Sequence, residues 1–72
     1  MKVVIIDGQS GRIGALFIEQ AKSAGISCEL TAIGTNAIAT AAMLKAGADQ
    51  GATGENPVVV NCADADIIAG PV

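Results

Sequence analysis

The segment Gly8-Gln9-Ser10-Gly11-Arg12-Ile13-Gly14 reads GxxGxxG and follows directly on Val3-Val4-Ile5-Ile6-Asp7. Glycines at that spacing, between a strand and a helix, form a loop able to hold phosphate. Gly8 permits a tight turn, Gly11 a close backbone approach to the ligand, and Gly14 close packing of helix on sheet. Backbone N–H groups at the helix start, with the helix dipole behind them, attract an anion. Ser10 can add a hydroxyl and Arg12 a cation, so the run from Gly8 to Gly14, Gln9 and Ile13 included, is the candidate cofactor-binding loop. The plainer reading is a turn that only links strand to helix. It is not a P-loop, because no Gly-Lys-Ser/Thr follows at the right spacing.

Asp7 stands where a carboxylate would face the bound phosphate. Like charges there repel unless Mg²⁺ bridges them, which makes Asp7 a candidate metal ligand; the alternative is a cap on the turn. The second strand of dinucleotide-binding folds often ends in an acid that bonds the ribose hydroxyls. Here the corresponding residues are Gly34-Thr35-Asn36. This neutral end disfavours NAD and leaves NADP, a mononucleotide or neither. Thr35 and Asn36 are candidate ribose or phosphate contacts, although Asn36 is better explained as a helix N-cap. Asp64 and Asp66 flank Ala65 at a spacing that suits Mg²⁺, against the plainer reading of solvated loop acids. Glu55 has no partner acid and fits a helix first turn. No catalytic residue is identified.

These residues need elements to hold them. Val3 to Ile6 is a β-branched run, the pattern of a strand covered on both faces. Arg12 to Ala24 is helical, with Ile13, Phe17, Ala21 and Ala24 at helical spacing and Gly25 as its C′ residue. Ser27 to Ile33 alternates as a strand, and Asn36 opens a helix over Ala37 to Ala46 that Gly47 closes. A very short strand is expected around Ala52, and another at Ile67-Ile68-Ala69. Val58-Val59-Val60 favours a strand by propensity, yet Asn56-Pro57 is a helix-start signal. Parallel neighbours cannot be joined by four residues, so topology favours a helical crossover from Val58 to Cys62. The expected fold is α/β: a partial Rossmann-like three-layer unit with a short parallel sheet of three to four strands and two to three helices.

Seventy-two residues allow one small domain, and its net charge of −3 argues against nucleic acid as a partner. The chain has no histidine, which removes imidazole acid–base chemistry and His-based zinc sites. No run is long enough for a signal-peptide core or a membrane span. Cys28 and Cys62 form no CxxC pair and read as reduced, space-filling thiols of a cytoplasmic protein. The alanine-rich helix is apolar on more than one face. With the open sheet edges, it points to a homo-oligomer that buries that helix or an edge.

The run VVIIDGQSGRIG, Val3 to Gly14, resembles the N-terminal dinucleotide-binding segment of dihydrodipicolinate reductases and other GxxGxxG Rossmann enzymes. A resemblance along nearly the whole chain rests on IDGQ-G-IG (Ile6–Gly14), GTN-IAT-AMLKAGAD-GATGEN (Gly34–Asn56) and NC-ADIIAGP (Asn61–Pro71). These segments resemble a bacterial domain-of-unknown-function family of small Rossmann-like proteins. The resemblance implies that this chain is the N-terminal half of such a protein, which continues past Gly70-Pro71 into further α/β elements. It brings a fold and no activity. Three functions remain open: binding of a phosphate-bearing nucleotide or dinucleotide at the Gly8–Gly14 loop, an NAD(P)-dependent oxidoreductase fragment without its catalytic half, and a non-catalytic assembly subunit. The first fits the residues best.

Overall fold

The structure, a computed structural model, describes residues 1–54 and 56–70. Glu55, read above as a helix first-turn residue, and Pro71 and Val72, at the end of the resemblance, lie outside the described residues. Seven elements alternate: β1 (Lys2–Asp7), α1 (Arg12–Ser23), β2 (Glu29–Gly34), α2 (Ala37–Lys45), β3 (Gln50–Thr53), α3 (Asn56–Cys62) and β4 (Ile67–Ala69). The four strands form one parallel sheet in the order β3-β2-β1-β4. That order matches the first four strands of a doubly wound dinucleotide-binding sheet.

The crossovers explain the layers. A right-handed βαβ connection places its helix according to the direction in which the sheet grows. From β1 to β2 to β3 the sheet grows one way, and α1 and α2 share a face. The core there is Val3, Ile5, Ile18, Ala21, Leu30, Ala32, Ala39 and Met43. From β3 the chain returns past β1 to β4, so α3 lies on the other face, where Val58, Cys62 and Ala65 pack on Val4, Ile6 and Ile33. β1 therefore has a neighbour on each side and a helix layer on each face, which accounts for its unbroken apolar run.

Local signals set most boundaries. Asn36 caps α2, its side chain accepting from the Ala39 N–H at 2.8 Å. Both long helices end in Schellman turns: Gly25 (φ 70°) and Gly47 (φ 119°) follow the caps, with Ile26 N–H donating to the Ala21 carbonyl and Ala48 N–H to that of Met43. β2 begins at Glu29 rather than Ser27, because its pairing with β1 starts at Lys2 opposite Glu29. The buried stripe of α1 is Gly14, Ile18 and Ala21, which leaves Ile13 and Phe17 largely exposed. Gly14 sets this rotation, because a Cβ there would come 2.6 Å from the Met43 sulfur. Parallel pairing overrides the strand propensity of Val58–Val60, and the segment is helix. Among the described residues no helix is long and apolar enough to cross a membrane. Cys28 and Cys62 are free and half-buried, each packed against one of the two cores.

Candidate functional site

Asp7, the Gly8–Gly14 loop, Thr35 and Asn36 all gather at the carboxyl ends of β1 and β2, the edge where open α/β sheets bind ligands. Two bonds tie the pieces together. Thr35 N–H donates to the Asp7 carbonyl at 3.0 Å, and the Asn36 amide donates to the Gln9 carbonyl at 2.9 Å. Asn36 thus caps α2 with its oxygen and anchors the loop with its nitrogen, so both ends of its side chain are engaged within the fold. Thr35 is exposed, and its hydroxyl lies where a Cβ on Gly8 would come within 2.8 Å.

The loop backbone is bent by two left-handed residues, Gln9 at φ 49° and Gly11 at φ 72°. Gly11 is also the N-cap of α1, and it has no side chain to satisfy the first turn. A Cβ on Gly11 would lie 2.5 Å from the Ala39 carbonyl oxygen, so this glycine lets the loop rest on α2. Packing inside the fold therefore accounts for each glycine of the motif.

Asp7 supplies the missing cap from outside the helix. Its carboxylate is 4% exposed, and its two oxygens accept from Gly8 N–H and Gly14 N–H, each at 2.7 Å. Gly14 is the third residue of α1, the position an ordinary N-cap side chain would reach. Ala15 N–H begins the helical ladder by donating to Gly11, and Gly11 N–H donates to Gly8. Among the described residues, the N–H groups of Arg12 and Ile13 have no acceptor. They belong to a cavity of about 420 Å³ lined by Asp7, Gly8, Gln9, Ser10, Arg12 and Ile13.

Both Asp7 oxygens are turned onto backbone N–H groups, and the described residues contain no group of three or more His, Cys, Asp or Glu side chains able to hold a metal. The geometry favours the turn-capping reading of Asp7 over the metal-bridging one. Asp64 and Asp66 lie at the opposite, amino end of the sheet. There Asp66 accepts from Lys2 N–H at 2.7 Å, and Asp64 forms an ion pair with the Lys2 ammonium at 2.7 Å. The Lys2 ammonium holds the Asp64 carboxyl below its ordinary range. Asp49 is lowered too, first by the Leu30 N–H it accepts and then by Lys22.

Two features escaped sequence reasoning. The Thr40 hydroxyl meets the Thr53 hydroxyl at 2.7 Å and pins α2 to the end of β3; its one signal is a polar residue inside an alanine-rich helix. Gly70 presses against the Ile6 carbonyl, so a side chain there would collide with β1 beside the loop. The chain matches none of the curated proteins and none of the solved structures compared with it. A family model described as domain of unknown function (DUF3842) matches residues 2–72, and the chain belongs to that family.

Proposed function

We propose that the chain binds a phosphate-bearing small molecule, a nucleotide or dinucleotide, at the loop from Gly8 to Ile13. The observation that carries this reading is the pair of acceptor-free N–H groups, on Arg12 and Ile13, beside a cavity at the carboxyl edge of the sheet. The left-handed Gln9 and Gly11 support it, because successive N–H groups in such turns form anion-binding concavities. The Arg12 guanidinium supplies the counter-charge. Asp7 lies beneath the loop with its charge directed at Gly8 and Gly14, and this lessens its repulsion of an anion above. The neutral Thr35 side chain leaves room for NADP or a mononucleotide and offers no acid for the ribose of NAD. The compartment consistent with two unpaired thiols is the cytoplasm.

Calorimetry with AMP, ATP, NAD and NADP tests the proposal. At least one should bind, more weakly as salt rises, and Arg12→Ala should weaken it by about tenfold, as for a charge-assisted contact. Flat titrations with all four nucleotides overturn it and favour the assembly reading. Hydride transfer from NADPH to an added acceptor would favour the oxidoreductase fragment.

A further inference from the structure

The outer face of the α1–α2 pair has no partner in the fold. Ile13 (59% exposed), Leu16 (55%) and Ile38 (71%) lie on it, and a groove of about 650 Å³ is lined by Ser10, Arg12, Ile13, Ala15, Leu16, Glu19 and Ala42. Ile38 stands one turn before Ala42 on α2. This helix is apolar almost all round, and its single charge, Lys45, is in the last turn. A helix of that composition is ordinarily covered on both sides.

The charges at the rim say what covers it. Arg12 and Glu19 are seven residues apart, two turns along one stripe of α1, with Leu16 between them at four and three residues. Neither forms an ion pair among the described residues, where the two cation–carboxylate pairs are Lys2–Asp64 and Lys22–Asp49. If α1 is laid antiparallel on a copy of itself about a two-fold axis near Leu16, Arg12 comes opposite Glu19, and Glu19 opposite Arg12. A surface that is apolar at the centre and carries opposite charges equidistant from it is complementary to itself, as a two-fold interface requires.

We infer that the α1–α2 face binds a second copy of this chain, with Leu16 at the two-fold axis and two reciprocal Arg12–Glu19 pairs at the rim. A specific interface takes at least about 600 Å² from each partner. That is a modest share of the 4120 Å² each chain exposes. The partner's Glu19 then stands beside Arg12 at the edge of the glycine loop.

Sedimentation velocity at micromolar concentration tests this. The native chain should run at twice the 7.1 kDa of one copy. Leu16→Asp should yield monomers. Arg12→Glu and Glu19→Arg, each alone, should weaken the dimer by about 10- to 30-fold, because both rim pairs become repulsive. Both exchanges place charges favourably for the dipole of α1, so a loss of dimer does not reflect a loss of fold. Mixing the two variants restores both pairs, and a heterodimer should form where neither variant dimerises well alone. A native monomer overturns the inference. So does a dimer indifferent to all three substitutions, which would place the contact at a sheet edge, and so does a mixture that fails to form heterodimers.

Discussion

The two ends of the sheet use the same chemical group in opposite settings. At the amino end, Asp49, Asp64 and Asp66 are exposed carboxylates that bond the backbone of Leu30 and Lys2 and the ammonium groups of Lys22 and Lys2. Lys2 and Lys22 are each paired there with a carboxylate. At the carboxyl end Asp7 is buried and turned inward onto Gly8 and Gly14. Within one chain, the Arg12 and Ile13 N–H groups and the Arg12 guanidinium have no partner among the described residues. The amino end thus carries its charges as exposed pairs, while the carboxyl end leaves the Arg12 and Ile13 N–H groups beside a cavity. Burial also changes what a carboxylate contributes, since water screens the exposed pairs far more than it does Asp7, which is 4% exposed.

The sharpest test of that contrast is Asp7→Ala. It strands two N–H groups, one of them buried, and removes the side-chain acceptor that the described residues place at the start of α1. Hydrogen bonds to a charged group contribute about 1.5–3 kcal/mol each, so unfolding in urea should show a loss of about 3 kcal/mol. A loss under about 1 kcal/mol would mean that the loop caps itself without Asp7. Gln9→Gly should act in the reverse direction. Relief of a left-handed non-glycine residue outweighs the added freedom of the unfolded chain, and a gain of up to about 1 kcal/mol is expected by the same measurement. The smallest effect belongs to the amino end. Asp49 and Asp64 have folded-state pKa values below the ordinary 3.8. A lowered folded pKa contributes stability that is present above the unfolded value and is lost as pH falls through the folded one. Stability should therefore decline slightly below about pH 4, and less so in Asp49→Asn/Asp64→Asn, when thermal midpoints are followed from pH 5 to pH 2.

Much of this architecture could be read from the chain. Val3 to Ile6 announces a doubly covered strand, Asn36 and Gly47 bracket α2, and Asn56-Pro57 opens α3 against the propensity of the valines that follow. β3 was only faintly visible, because Gln50-Gly51-Ala52-Thr53 has neither alternation nor β-branched bulk; its place comes from pairing with Thr31–Gly34. The rotation of α1 was hidden as well. Ile13 and Phe17 look like core residues, and a glycine does not look like the centre of a buried stripe. At the loop, the residue types and spacing mark the candidate site and leave turn capping open for Asp7, but its reach to Gly14 is not legible in them. Its bond to Gly14 spans seven residues and exists because Gly11 turns left-handed and folds the helix start back over the strand.

The parallel sheet also sets an order of assembly. With no hairpin to nucleate it, each strand pair waits for a crossover, and loop-closure entropy rises with the chain that must be gathered in. β1, β2 and β3 can join as successive neighbours. β4 must return to β1 across almost the whole molecule, where Asp66 finds Lys2 sixty-four residues earlier. Gly70 comes to rest against the Ile6 carbonyl, beside the glycine loop, only when that strand docks. The docking of β4 is then a late event of folding, since it joins residues sixty-four positions apart.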